Sequence, residues 1–125
     1  SWCEQEKVLN HPSIGGFLTH CGWNSMIESI CAGVPIACWP FYGDQQTNSR
    51  YACTEWGIGL EIDNKVQREE VEKLVNELVE GDKGKEMRHK VLEWQKISKQ
   101  ATKSGGSSCI SLDKLINHVL IKRKN

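Results

Sequence analysis

The chain has 125 residues, enough for one domain with a modest core and too few for two comfortable ones. Sixteen basic residues balance sixteen acidic ones, so the strongly basic field expected of a nucleic-acid or anionic membrane surface is absent. No apolar stretch approaches the roughly 20 residues of a membrane span.

The six cysteines, Cys3, Cys21, Cys31, Cys38, Cys53 and Cys109, show no CxxC spacing and mostly sit among apolar neighbours. They read as buried, reduced thiols, which places the protein in the cytoplasm. The four histidines are scattered, and no pair of ligands has the spacing of a zinc site. The only basic run, Lys122 to Lys124, reads as a solvated tail. A start at Ser1, with neither Met nor a signal-like apolar region, reads as a piece of something longer.

In chain order, IGGFLTH (14–20) predicts a short buried strand, and NSMIESICAG (24–33) a helix ended by a glycine. VPIACWP (34–40) predicts a second strand, DQQTNSRYACTEW (44–56) a helix, and GIGLEID (57–63) a third strand. Strands alternating with helices at this rhythm imply a parallel α/β sheet. Val71, Leu74, Val75, Leu78 and Val79 then mark one apolar helix face, with Gly81 at its end. A charged helix follows from about Lys85 to Gln100, with Met87, Val91 and Trp94 inward. KSGGSS (103–108) predicts a flexible break, and Leu112, Leu115, Ile116, Val119 and Leu120 repeat the helical spacing after it. Both stripes read as packing faces.

In an open parallel sheet, ligands bind outside the carboxyl ends of the strands. The loops there are HCGWN and FYGDQ. A helix starting near Asn24 or Ser25 offers unpaired N–H groups and a positive dipole end, suited to a phosphate or pyrophosphate. Gly22 lets the backbone come close, and His20, Asn24 and Ser25 can donate to the same anion. Glu28 lies one turn on and could accept from two ribose hydroxyls, yet SMIE (25–28) is equally a capping box that uses Glu28 for a backbone N–H. His20 could be a satisfied structural histidine, and Trp23 could belong to the core. Asp44 could cap its helix or offer its carboxylate to a sugar beside the amide of Gln45. Trp2 could stack on a nucleobase with Gln5 at the base edge or ribose, or pack its loop against the sheet.

From Trp2 to Gln45 the segment WCEQEKVLNHPSIGGFLTHCGWNSMIESICAGVPIACWPFYGDQ resembles, without gaps, the signature box of plant secondary-product UDP-dependent glycosyltransferases. The likeness continues through TNSRYACTEWGIGLEID and the GGSS break, so essentially the whole chain is covered. It implies an α/β, Rossmann-like parallel sheet with C-terminal helices, part of the C-terminal domain of a two-domain glycosyltransferase fold. Residues 1–125 would then be a partial UDP-sugar-binding domain, with the box at 2–45 and a helical part at about 66–125. Its first strands and the whole acceptor domain would be missing.

The resemblance also implies site roles. Trp2 would stack on the uracil, and Cys3 and Gln5 would contact base and ribose. His20, Trp23, Asn24 and Ser25 would hold the pyrophosphate, Trp23 mainly through its backbone. Glu28 would take the ribose hydroxyls, Asp44 and Gln45 the hexose, and Gly43 would face the acceptor. Gln45 is the family's usual residue for glucose donors. Glu4 departs from the family's proline, which loosens the loop beside the base.

The implied reaction moves glucose from UDP-glucose to a hydroxyl of a small plant metabolite with inversion. UDP-glucose is substrate rather than cofactor, and the lack of a DxD pattern accords with chemistry that needs no metal. The base, a histidine oriented by an aspartate, and the acceptor site would lie in the missing N-terminal domain, so no catalytic residue is assigned and the fragment alone is expected to be inactive. The alternative is a stand-alone nucleotide-binding or partner-binding module without catalysis.

Overall fold

Each of the three predicted strand segments contributes a short strand: β1 (Phe17–Thr19), β2 (Ile36–Cys38) and β3 (Gly59–Glu61). The computed structural model describes residues 1–121, so the basic run Lys122 to Lys124 lies outside the described residues. The strands pair in parallel in the order β1-β2-β3, with Phe17, Ile36 and Gly59 in register, and likewise Thr19, Cys38 and Glu61.

The chain divides into two compact units, Ser1–Gln95 and Lys96–Asn125. In the first, α1 (Gln5–Leu9) precedes β1, an element the sequence did not announce. Helix α2 (Trp23–Ala32) joins β1 to β2, and α3 (Gln45–Arg50) joins β2 to β3. As predicted, a glycine ends α2: Gly33 adopts φ 72°, and its N–H bonds to the carbonyl of Ile30.

The single helix expected over 44–56 is shorter. After Arg50 the chain widens into a π-helical turn, Tyr51–Glu55, closed by the Trp56 N–H on the Tyr51 carbonyl. That turn buries Ala52 and lets its carbonyl accept from the Ile58 N–H at the approach to β3. Helices α4 (Arg68–Glu80) and α5 (Asp82–Thr102) follow.

The pleat sends alternate β2 side chains to opposite faces. Ile36 and Cys38 pack with Cys21, Met26, Ile30, Ala52, Ile58 and Val91, and Trp56 and Trp94 lie against this cluster. Ala37 packs on the other face with Leu78 and Met87. The inward placement of Met87 and Val91 thus holds, while Trp94 is half-buried and donates its indole N–H to the Trp56 carbonyl at 3.2 Å.

Two burial expectations need correction. Strand β1 is not fully buried: it is an edge strand, and Leu18 is 56% exposed. The stripe on α4 is likewise covered only in part, because Leu78 is buried whereas Val75 and Val79 are nearly half exposed. These exposed side chains line an apolar groove of about 180 Å³ together with Gly16, Phe17, Ala37 and Leu78.

In the second unit, KSGGSS forms a turn closed by the Gly106 N–H on the Lys103 carbonyl at 2.8 Å, with Gly105 at φ 78°. Helix α6 (Ser107–Leu115) follows and passes into a π-helical turn, Ile116–Ile121. Its apolar stripe is bare rather than packed, with Leu112, Leu115 and Leu120 all exposed.

Candidate functional site

Both loops singled out in the sequence lie at the carboxyl ends of their strands, β1 running into His20–Gly22 and β2 into Trp39–Asp44. Two hydrogen bonds hold them in place, one from each side. The Trp39 N–H donates to the Thr19 carbonyl at 2.9 Å, and Asn48 on α3 donates its amide to the Cys21 carbonyl at 3.0 Å. Asn48 Nδ2 also lies 3.0 Å from Asp44 Oδ2, so one buried side chain ties the first loop to the carboxylate of the second.

The first loop has a demanding backbone. Cys21 adopts φ 67°, a left-handed conformation that costs a residue with a Cβ on the order of 1–3 kcal/mol. It is held there by its own N–H on Thr19 Oγ1 at 3.1 Å, by Asn48, and by a wholly buried side chain. The chain then turns into α2 at Gly22, which has no side-chain cap.

The first N–H groups of α2 therefore face a recess of about 270 Å³ lined by His20, Gly22, Trp23, Asn24 and Ser25. His20 is exposed and folds over Gly22, its Nε2 2.7 Å from where a Cβ would stand. The close approach is possible only because that Cβ is absent. Trp23 is no core residue: it is 51% exposed and leans on Trp56 with ring centroids 6.3 Å apart.

A second recess, of about 360 Å³, is lined by Trp2, Cys3, Glu4, Gln5, Glu6, Lys7 and Glu28. Here the capping-box reading of SMIE fails, because Gly22, not Ser25, occupies the N-cap and Ser25 already lies inside the helix. Glu28 Oε2 instead accepts from Gln5 Nε2 at 2.6 Å, and Ser25 Oγ accepts from the same amide at 3.2 Å. Trp2 does not pack against the sheet, since it is 86% exposed. Glu4 stands at the N-cap of α1 and pairs its carboxylate with Lys7, so the residue that departs from the family pattern is accommodated by a local ion pair.

In the second loop, Asp44 makes no capping bond. Gln45 is buried, and its Oε1 accepts from the N–H groups of Phe41 at 2.9 Å and Tyr42 at 3.1 Å. These bonds orient the amide and turn Nε2 away as a donor. Gly43 is exposed at φ 65°, beside the exposed rings of Phe41 and Tyr42. Asn48 is the contributor that reading the sequence missed. Its signal was present, four positions after Asp44 and on the same helix face.

The cysteines are all free, but burial is confined to Cys21 and Cys38. Cys53 and Cys109 are half-buried, while Cys3 and Cys31 are exposed, which corrects the expectation of mostly buried thiols. No helix among the described residues is long and apolar enough to cross a membrane.

The chain is similar to known proteins in sequence and in fold. A match to the family described as UDP-glucoronosyl and UDP-glucosyl transferase covers residues 1–100. The chain is 62% identical over 117 residues to 7-deoxyloganetin glucosyltransferase of Catharanthus roseus, covering 93% of this chain and 24% of that protein. It is 59% identical over 123 residues to UDP-glycosyltransferase 85A8 of Stevia rebaudiana, covering 98% and 26%. Among solved structures, it is similar to UGT2 of Phytolacca americana complexed with UDP-2fluoro-glucose and pterostilbene. That likeness has a TM-score of 0.86 at 42% identity over 92% of this chain and 27% of the other. The chain thus spans about a quarter of the length of these relatives.

Proposed function

Because the chain belongs to the UDP-glucoronosyl and UDP-glucosyl transferase family and has its Rossmann-like α/β fold, we propose that residues 1–125 are the donor-binding part of a UDP-glucose-dependent glycosyltransferase. The complete enzyme moves glucose to a hydroxyl of a small plant metabolite with inversion, in the cytoplasm. The observation that carries this reading is the pair of adjoining recesses, one at the N-terminus of α2 and one around Gln5 and Glu28, which share Ser25 through the Gln5 amide.

In this assignment the uracil lies on Trp2, with Cys3 and Gln5 at base and ribose, and Glu28 takes the ribose hydroxyls. The pyrophosphate sits against His20, Trp23, Asn24 and Ser25. Asp44 and the free Nε2 of Gln45 hold the hexose, and Gly43 faces the acceptor. As the glycosidic bond breaks, negative charge grows on the departing UDP. In this assignment the helix N–H groups are held by the backbone where that charge appears, with His20 beside them, so together they stabilise the transition state more than the ground state. The base that deprotonates the acceptor, and the wall that excludes water, belong to the remainder of the protein.

The test mixes the purified chain with UDP-glucose and a panel of small hydroxylated acceptors, with and without the separately expressed upstream half, and follows glucoside by mass spectrometry. Product only on mixing is expected. Product from the chain alone, or none from the complete protein with any UDP-sugar, would overturn the reading. Side-by-side kinetics of the complete enzyme should give a higher specificity constant for UDP-glucose than for UDP-galactose.

A further inference from the structure

Behind the first loop lies a group of three thiols that donor binding does not use. Cys21 follows β1, Cys38 ends β2, and Cys53 sits in the π-helical turn before β3. Cys21 and Cys38 are wholly shielded, whereas Cys53 is half-buried. Its thiol hydrogen-bonds with that of Cys38 across 3.8 Å. Cys53 also lines a cavity of about 340 Å³ with Gly57, Lys83, Met87 and Lys90, so a small solute has a way to one member of the pair and none to the other. No group of three or more His, Cys, Asp and Glu side chains among the described residues is arranged to hold a metal.

We propose that Cys53 is a peroxide-reactive thiol whose oxidised form is resolved by Cys38, giving an intramolecular Cys38–Cys53 disulfide. In the first step the Cys53 thiolate attacks hydrogen peroxide, an S–O bond forms, the O–O bond breaks, and hydroxide leaves to become water. In the second, the Cys38 sulfur attacks the Cys53 sulfenic acid. An S–S bond forms, the S–O bond breaks, and the Cys38 proton leaves with the hydroxyl as a second water. Two thiols lose two electrons in total, and one peroxide takes them.

Geometry suits the second step. A disulfide has its sulfurs about 2.05 Å apart, so the pair must close by about 1.8 Å. β2 is held by ladder bonds on both sides, which leaves the movement to the π-helical turn. Electrostatics suit the first step. The hydrogen bond with Cys38 holds the Cys53 thiol below its ordinary pKa against the opposing effect of burial, which favours the thiolate that the first step requires.

The experiment treats the purified full chain with hydrogen peroxide, alkylates the remaining thiols and maps tryptic peptides without reduction. Arg50 separates Cys53 from the peptide that carries Cys21, Cys31 and Cys38, so a link appears as a joined pair two hydrogens lighter, and fragmentation identifies the partner. A Cys38–Cys53 link is expected. It should vanish in Cys53→Ser, and Cys38→Ala should leave a sulfenic acid on Cys53 that dimedone traps. The proposal is overturned if Cys53 stays reduced while exposed Cys3 and Cys31 oxidise, or if Cys53 links to another cysteine. Should Cys38→Ala not fold, the wild-type map and Cys53→Ser decide. No nucleotide enters the assay, so its outcome is independent of the donor-site reading.

Discussion

Gln5 Nε2 lies 2.6 Å from Glu28 Oε2, which joins the segment before β1 to the second turn of α2 across 23 positions of sequence. The bond presents Glu28 toward the recess under Trp2 and removes it from any role at the helix end. Replacing Glu28 with Gln keeps the shape and deletes the charge. UDP affinity, measured by calorimetric titration, should fall by about 1–3 kcal/mol, with little change in the denaturation midpoint. Unchanged affinity in a folded variant would return Glu28 to a purely structural role.

Gly22→Ala separates folding from anion binding. The backbone there, φ −61° and ψ 143°, suits any residue, so no strain arises from the main chain. The new methyl would instead meet His20 Nε2 at 2.7 Å, and the exposed imidazole would swing away. Urea denaturation should be nearly unchanged, while UDP affinity drops by about 1–3 kcal/mol through loss of a hydrogen bond to a charged group.

Gly33→Ala should do the reverse. At φ 72° an alanine pays the left-handed penalty, and its Cβ would come within 2.9 Å of Leu92 Cδ2. A loss of about 1–2 kcal/mol in chemical denaturation is expected, with UDP affinity of the folded fraction unchanged.

Asn48→Ala should affect both. It removes the bridge between the Cys21 carbonyl and Asp44, leaving a buried acceptor unpaired beside a strained residue. Stability should fall by about 1–3 kcal/mol. UDP should also bind more weakly, because Cys21 can relax and carry His20 with it. A variant that loses stability but keeps its UDP affinity would show that the loop holds its shape without Asn48.

The sequence by itself determined the order of strands and helices from β1 onward, though not α1, because apolar runs of strand length alternate with helical spacing and because glycines stand where helices must end. It also pointed to HCGWN and FYGDQ as candidate ligand loops, since parallel sheets place such loops after the strands. Tertiary structure decided what each polar group does there. SMIE satisfies the pattern of a capping box, yet the helix begins earlier, at Trp23, and a glutamine from another element takes the glutamate. The π-helical turn could not be read from DQQTNSRYACTEW, because one register shift of a hydrogen bond leaves the apolar spacing almost intact. Nor could the partly covered stripe on α4 and the bare one on α6, since periodicity reports which face a helix would bury and not whether anything lies against it. The meeting of Cys38 with Cys53, and of Asn48 with Cys21, arises from how β2 and α3 pack, and a linear pattern carries no record of distances between segments.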